Sequence, residues 1–479
     1  MPDFLLRQRW YPAKDAGRPA AEIAQFVPVP CGSSNAAIAI WDVTPPRGPP
    51  LTMFVPLMLA KAGSTDPRQT IATTHTNGGE GAHIVEAFSD DAFVRAWLAL
   101  HFAPPPAAKD LHAALRVPAG EIEWKHAPIK RSSAEQSNTS LRVGNGAILK
   151  VIRKLEGGPH PELEIGRFLS EAGFSATPAL LGWVELAANH GSPAYALTLL
   201  QRFVPNDGDG WSWTLDQLAR AMEQGESARL EHLSRWIERL AMQTAEMHRA
   251  FAMASGDPSF RPDPVTTADL QNWQTAALAM AARAFDGLQH HLRQTALRQA
   301  QQLLDSRDDV QQRLRAILNV RPEFYKTRHH GDFHLGQVLV ADGDAVILDF
   351  EGEPLRPLQE RRAKHCVLRD VAGIVRSFSY AAEAAFRALP QDVTEPERKA
   401  KRARLDTWRA DASRVFVETY FAAAQELKSI PPERSEAEQV LSFFVLEKAL
   451  YEVAYELANR PDWLEIPLHG VLSMCSDGR

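Results

Sequence analysis

Two aspartates and one amide within residues 330–351 constrain this chain more than any other feature. Asp332 lies five residues before Gln337, and Asp349 directly follows an apolar run at 346–348. Kinase-type phosphoryl transfer uses groups in this order: a base for the attacking hydroxyl, an amide on Mg²⁺, and a carboxylate that joins Mg²⁺ to the phosphates. We therefore predict Asp332 as the catalytic base and Gln337 and Asp349 as magnesium ligands. Glu351, two residues further on, is a third candidate ligand.

A turn signal separates two β-prone runs in the same stretch. Residues 341–344 read Ala-Asp-Gly-Asp and lie between the apolar runs 338–340 and 346–348. This pattern predicts a short hairpin that brings the two aspartates and the amide to one edge. His330 and His334 are expected to be structural, because no cysteine pattern or HExxH motif accompanies them.

Composition excludes several classes of protein. The chain has 479 residues, a net charge of −6 and 45% hydrophobic residues, which predicts a soluble protein of two or three domains. The net negative charge does not predict the basic surface that proteins binding nucleic acid usually carry. Three scattered cysteines favour neither a disulfide framework nor a metal cluster and are typical of a reducing cytoplasm. We expect no signal peptide and no membrane span, because no run of 18 apolar residues occurs.

Changes of pattern along the chain predict an α+β fold in three parts. Residues 1–105 are expected to form a β-rich cap, and the boundary follows from the prolines at 104–106. Residues 106–205 are expected to form a small β-rich lobe that binds nucleotide. Residues 206–479 are expected to form a large helical lobe that carries the catalytic and acceptor sites. The helices predicted there cover about 268–319, 369–388, 397–427 and 435–459, and Asp370 is a candidate N-cap of the second.

Lys150 is the candidate for gripping the phosphates of ATP. It lies in the second strand of a hairpin whose turn is Asn145-Gly146. A strand lysine about a dozen residues before a helical glutamate matches the kinase arrangement. Pro161 opens the helix, and we predict Glu164 as the partner of Lys150, with Glu162 serving the helix N-terminus.

Two further segments are candidates for nucleotide binding. The polar run Gln136–Ser140 occupies the place of a phosphate-covering loop, and its side chains and N–H groups suit phosphate oxygens. The strand at 195–200 runs into a polar linker, which predicts a hinge facing the adenine. The candidate residues in these two segments are Ser137, Asn138, Thr139, Gln201 and Phe203.

Three segments resemble the bacterial maltokinases, within the aminoglycoside-phosphotransferase-like branch of the protein-kinase-like fold. They are His330–Leu339, Leu348–Pro354 and Leu368–Phe378. Further resemblance occurs at residues 9–14, 447–457 and 459–463, and the last of these resembles the family's C-terminal segment that helps to shape the sugar pocket. The resemblance implies a bilobal kinase that uses ATP and Mg²⁺ to phosphorylate the anomeric hydroxyl of maltose for α-glucan synthesis. It also implies a possible trehalose synthase partner and a set of sugar-binding residues. These are Arg376, Lys448, Tyr451, Glu452, Tyr455 and Glu456.

Two alternatives stay open at this point. A glucosamine or other aminosugar kinase of the same fold would use acids in the pocket, which Glu452 and Glu456 could supply. A pseudokinase that only binds a trehalose- or glycogen-pathway enzyme is the alternative of another class. It is disfavoured because inactive kinases usually lose one of the catalytic groups. All four are present here: Lys150, Asp332, Gln337 and Asp349.

Overall fold

The computed structural model describes most of the chain and contains two compact units. The described residues are 1–31, 34–61, 66–75, 81–101, 111–116, 123–132, 137–187, 194–224, 227–292, 297–354 and 356–476. The first unit combines Met1–Ser170 with Pro178–Pro205, and the second combines Glu171–Thr177 with Asn206–Arg479. The boundary predicted near residue 105 lies outside the described residues.

The first unit is rich in antiparallel β-structure. Its helices are α1 (Pro2–Arg7), α2 (Asp91–Ala99) and α3 (Pro161–Glu171). Its strands are β1 (Ala20–Cys31), β2 (Ser34–Thr44), β3 (Leu51–Phe54), β4 (Leu57–Lys61), β5 (Thr70–His75), β6 (Gly81–Glu86), β7 (Leu111–Leu115), β8 (Ile129–Arg131), β9 (Thr139–Val143), β10 (Ala147–Val151), β11 (Lys154–Leu155), β12 (Leu180–Leu186) and β13 (Tyr195–Arg202).

Seven of these strands form the first sheet, in the order β11-β3-β2-β4-β6-β5 with β1 also paired to β2. Successive side chains of a strand point to opposite faces. In β2 this alternation sends Ile38 and Ile40 into one core cluster and Ala39 and Trp41 into another. Both faces of this strand are therefore buried.

The other six strands form the second sheet, in the order β7-β12-β13-β10-β9-β8. It contains the predicted hairpin of β9 and β10, whose turn contains Gly144 at φ 57°. The register places Ser140 opposite Lys150. The chain then leaves β10 and enters the first sheet as β11, so one strand path joins the two sheets.

The second unit is mostly helical. Its helices are α4 (Gly210–Gln224), α5 (Ser227–Phe251), α6 (Thr267–Leu292), α7 (Arg298–Asp305), α8 (Arg307–Arg315), α9 (Leu358–Arg361), α10 (Leu368–Arg387), α11 (Glu395–Ala423), α12 (Arg434–Asn459) and α13 (Glu465–Ser476). The helical stretch predicted over 268–319 contains α6, α7 and α8. Among the helices of the described chain, none is long and apolar enough to cross a membrane.

Two short antiparallel strand pairs complete this unit. β14 (Asp263–Pro264) pairs with β15 (Tyr325–Lys326), and β16 (Val338–Ala341) pairs with β17 (Asp344–Ile347). The β16–β17 pair is the predicted hairpin. Its two turn residues, Asp342 and Gly343, have φ of 51° and 79°. Two-residue hairpin turns with positive φ at both positions favour Asp-Gly, so the local sequence dictates this connection.

Candidate active site

The segment that carries Asp332 is held by a buried carboxylate from α10. Asp370 accepts hydrogen bonds from the backbone N–H of His330 at 2.7 Å and of Gly331 at 3.0 Å. It also bonds His248 Nε2 at 3.2 Å. Burial opposes the ionised form, but the hydrogen bond from His248 and the charges of nearby histidines hold the pKa of Asp370 well below its usual range. Asp370 is thus a charged anchor for the segment before Asp332.

The prediction that Asp370 caps its own helix is wrong. The N-cap of α10 is Val367, and Asp370 lies in the first turn with its side chain turned to the loop of residues 330–331. Close approach of α10 to this loop needs a glycine, because a side-chain carbon at Gly373 would collide with the carbonyl oxygen of Phe333. Sequence reasoning missed this role, since the two partners are about 40 positions apart.

The two neighbouring histidines have structural contacts, as expected. His330 Nε2 bonds the carbonyl oxygen of Leu348 at 2.7 Å, and its ring packs against Phe333 and Phe350. His334 Nδ1 accepts from the Gly336 N–H at 3.0 Å. The bond from His330 joins the segment of Asp332 to Leu348, which directly follows β17.

The β16–β17 hairpin brings the candidate metal ligands together. Gln337 Nε2 donates to Asp349 Oδ2 at 3.0 Å, and the Leu348 N–H donates to the carbonyl oxygen of Gln337 at 2.8 Å. The carboxylate oxygens of Asp349 and Glu351 come within 4.8 Å of each other. Amide and carboxylate oxygens at this spacing fit a hard divalent cation such as Mg²⁺. Asp349 has φ 61°, a conformation that costs a non-glycine residue energy and is frequent at functional sites.

In the first unit, Lys150 forms a buried ion pair. Its Nζ lies 2.7 Å from Glu162 Oε2, and the two side chains are 9% and 3% exposed. Glu162, rather than the predicted Glu164, is therefore the partner of this lysine. Glu162 is a buried residue in the first turn of α3, where its carboxylate contacts Lys150 of β10. Sequence spacing could not decide between two glutamates two positions apart.

The predicted hinge residue Gln201 also contacts this ion pair. Its Nε2 donates to Glu162 Oε1 at 3.1 Å, so each carboxylate oxygen of Glu162 has its own donor. Phe203 follows β13, and its ring lies under the guanidinium of Arg142 at 3.7 Å from the centroid. An adenine contact by Gln201 or Phe203 stays a prediction.

The predicted phosphate loop is partly occupied by internal bonds. Asn138 is buried, and its Oδ1 accepts the Arg153 N–H at 3.3 Å. Thr139 Oγ1 accepts from Arg153 Nε at 2.9 Å. Ser137 is exposed, whereas Gln136 lies outside the described residues. In this arrangement the Asn138 and Thr139 side chains fix the loop through Arg153. Contact of this loop with a phosphate stays a prediction.

The predicted sugar-binding residues divide into two groups. Lys448 and Tyr451 of α12 line one cavity together with Asp332, which we call the Asp332 cavity. Tyr451 donates a short hydrogen bond to Glu353, and the ring of Tyr455 stacks beside that of Tyr451. Burial acts to raise the pKa of Glu353, but the Tyr451 hydroxyl, Lys448 and Arg356 lower it overall. Glu353 is therefore held as a carboxylate.

The other group faces away from this cavity. Arg376 bonds Glu452 at 2.9 Å inside the helical core, and Gly470 leaves the space that the guanidinium fills. Glu456 accepts from Tyr380 at 2.9 Å and from Arg460 at 2.7 Å. These carboxylates are occupied by protein donors, so the structure does not offer Glu452 or Glu456 to a sugar as predicted. Each follows a tyrosine by one position, which rotates it to another face of α12.

Sequence reasoning did not find the acids that the Asp332 cavity does contain. Glu353 and Glu447 line it, and both also line an adjoining cavity of about 220 Å³. Trp273 and His365, which stack at 4.7 Å, lie on the wall of the adjoining cavity. Glu447 is 3.8 Å from Arg369. The position of Glu353 just after Asp349 and Glu351 was the available signal.

The chain is similar to known phosphotransferases. Residues 128–352 match the model of APH, the phosphotransferase enzyme family. The chain is 26% identical over 348 residues to the glucosamine kinase of Mycolicibacterium smegmatis, covering 72% of this chain and 79% of that one. It is 27% identical over 340 residues to the glucosamine kinase of Streptacidiphilus jiangxiensis, covering 70% of each.

A solved structure shows the same fold. A glucosamine kinase in complex with glucosamine, ADP and inorganic phosphate superposes with a TM-score of 0.67 and 19% identity, covering 95% of this chain and 94% of that one. The predicted kinase-like fold, with a β-rich N-terminal region and a helical C-terminal part, is confirmed.

Proposed function

We propose that this chain, a phosphotransferase with an alcohol group as acceptor whose residues 128–352 match the APH family, uses ATP to phosphorylate glucosamine or a similar aminosugar. The observation that carries the proposal is the set of carboxylates in the Asp332 cavity. Glu353 and Glu447 line this cavity together with the candidate base. Carboxylates are the strongest hydrogen-bond partners for an ammonium group, which distinguishes an aminosugar from a neutral sugar. The curated relatives named above support the same acceptor.

The reaction needs one proton acceptor and a fixed path for the phosphoryl group. Asp332 would accept the proton of a sugar hydroxyl while the hydroxyl oxygen forms a bond to the γ-phosphorus of ATP. The bond between the γ-phosphorus and the bridging oxygen then breaks, and ADP leaves. Lys150, oriented by Glu162, would hold phosphate oxygens.

Gln337, Asp349 and Glu351 are the residues that would hold Mg²⁺ in this chain. Such an ion neutralises charge on the transferred phosphoryl group and on the leaving phosphates. The protein's own part is to orient these oxygens, and the bond from Gln337 to Asp349 at 3.0 Å does so.

Maltose is the competing acceptor. It rests on the resemblance of the chain to the maltokinases, above all in the C-terminal run of residues 447–463, and a trehalose synthase partner rests on the same resemblance. The catalytic groups are the same for both acceptors. The choice therefore depends on the cavity residues rather than on Asp332 or Asp349.

An acceptor series tests the proposal. ADP release is measured with glucosamine, N-acetylglucosamine, glucose and maltose under identical conditions. We expect kcat/KM for glucosamine to exceed that for glucose by about 10²-fold or more, because a buried site that pairs with an amino group rejects analogues that lack it. N-acetylglucosamine, which lacks the charge, should also be poor. A higher kcat/KM for maltose would overturn the aminosugar assignment.

A matched pair of variants assigns the recognition to the cavity. Glu353→Gln should raise the KM for glucosamine and leave the KM for ATP nearly unchanged. Glu438→Gln makes the same chemical change on α12 at a side chain that is 54% exposed, and it should leave both constants unchanged. Equal behaviour of the two variants would remove Glu353 from acceptor recognition.

A further inference from the structure

Arg153 is a fully buried arginine at the junction of the two sheets of the first unit. It is 1% exposed and lies between β10, which carries Lys150, and β11, which belongs to the first sheet. A buried guanidinium is costly to desolvate unless hydrogen bonds compensate it. Its partners therefore indicate what the residue is for.

Four of its contacts are with the first sheet and its neighbours. Arg153 Nη1 donates to Glu86 Oε1 at 3.0 Å and to the carbonyl oxygen of Phe54 at 3.4 Å. The Phe54 N–H donates to the carbonyl oxygen of Arg153 at 2.8 Å. The ring of Trp10 lies 4.9 Å from the guanidinium. Glu86 is itself 4% exposed, so this is a buried ion pair.

The remaining contacts are with the candidate phosphate loop. Arg153 Nε donates to Thr139 Oγ1 at 2.9 Å, and the Arg153 N–H donates to Asn138 Oδ1 at 3.3 Å. Both loop residues lie at the start of β9, and Thr139 is paired with Val151 across the hairpin. One residue therefore binds the two sides of the junction at once.

We infer that Arg153, held by Glu86 and Phe54, is a positioning residue through which the N-terminal sheet fixes the loop at 137–139 for nucleotide binding. The inference rests on the proposed function, in which this loop and Lys150 contact ATP. The planar guanidinium makes it possible, because its donors are rigidly spaced and reach Thr139 and Glu86 in fixed directions. The N-terminal sheet thereby acquires a role in nucleotide affinity that is exerted through Arg153.

Glu86→Gln is the variant that tests this role with the least damage. The amide keeps the size and one oxygen for Arg153 and for the Phe88 N–H, but it removes the charge that orients the guanidinium. Arg153→Ala would leave a buried carboxylate without a counter-charge and endanger folding. Asp3→Asn is the matched control, because Asp3 forms an exposed pair with Arg18, in which both side chains are 66% exposed.

The dissociation constant for MgATP is measured by calorimetry on the full chain without acceptor, and KM values are measured for ATP and glucosamine. Glu86→Gln should raise the ATP constants by about tenfold or more, since small displacements of binding groups have effects of this order. The KM for glucosamine should change little. Asp3→Asn should match the wild type. Unchanged ATP constants in Glu86→Gln, or equal losses for both substrates, would overturn the inference.

A double-mutant cycle that combines Glu86→Gln with Thr139→Val tests whether Glu86 acts through Arg153 on Thr139. If Glu86 acts through Arg153 on Thr139, the double variant should bind ATP about as well as the weaker single variant. Independent effects would instead multiply, as is usual for sites that do not interact, and this result would overturn the inference. Failure of the wild type to bind MgATP would be a different result, because it would overturn the proposed function itself.

Discussion

Replacement of Asp370 by asparagine should both destabilise the second unit and slow catalysis. The carboxylate accepts two backbone N–H bonds, at 2.7 and 3.0 Å, and a third bond from His248 at 3.2 Å. Asparagine offers one oxygen in place of two and turns an NH₂ group toward a donor. Loss of a charged partner in a buried network costs about 3–5 kcal/mol. The free energy of unfolding in denaturant should fall by this amount.

The pH dependence of this difference follows from the depressed pKa of Asp370. A carboxyl group whose pKa is lower in the folded state stabilises the protein above its unfolded pKa of about 3.9. This contribution is lost as pH falls through the folded pKa. The stability difference between wild type and Asp370→Asn should therefore be constant from about pH 5 to 8 and shrink below about pH 4.

Activity separates anchoring from general stability. Release of the His330 and Gly331 N–H groups should lower kcat by about 10- to 10²-fold, since the base is then misplaced, with a smaller effect on the KM for ATP. Tyr420→Phe is the milder comparison, because it removes only the hydroxyl that bonds His248 Nδ1 at 2.8 Å. It should cost about 0.5–1.5 kcal/mol. Wild-type stability and kcat in Asp370→Asn would refute the anchoring role.

Three further predictions concern the candidate catalytic groups. Asp332→Asn should reduce turnover by about 10²–10⁴-fold and leave ATP affinity nearly intact, whereas Asp349→Asn should weaken Mg²⁺-dependent nucleotide binding; equal loss of affinity in both would contradict these roles. Glu162→Gln should raise the KM for ATP and Glu164→Gln should not, and steady-state kinetics with the two variants would expose the opposite order. Tyr451→Phe should raise the KM for the sugar alone, because the hydroxyl that fixes Glu353 is lost; an unchanged sugar KM would exclude this contact.

Local sequence was sufficient for the elements that depend on turn chemistry and short spacing. The hairpin around Asp342-Gly343 formed as predicted, because both turn residues adopt the positive φ that this dipeptide favours. It also places Gln337 beside Asp349 at 3.0 Å. The helix that opens with Pro161 begins there in the structure. Each of these features is decided by residues fewer than about fifteen positions apart.

Features that depend on tertiary partners were not predictable in this way. Asp370 was taken for a helix cap because its real partners, the N–H groups of residues 330–331, are distant in sequence. Glu162 and Glu164 are both in the first turn of α3, and only the packing of that turn on β10 selects one. The same reason applies to Glu452. It was predicted to bind the sugar, and its ion pair with the distant Arg376 could not be inferred from the local sequence.

The choice of acceptor also depends on contacts between residues that are distant in sequence. The motif that contains Asp332, Gln337 and Asp349 suits any hydroxyl acceptor, so similarity in it cannot separate maltose from glucosamine. Glu353 is close to this motif in sequence, yet its role depends on Tyr451, 98 positions away on α12. Glu353 accepts hydrogen bonds from Tyr451 and from Arg356, and it lines the same cavity as Asp332. A carboxylate at the cavity wall attracts an ammonium group more strongly than it attracts a neutral disaccharide. The position of Glu353 on the wall of the Asp332 cavity therefore supports the proposal of an aminosugar acceptor.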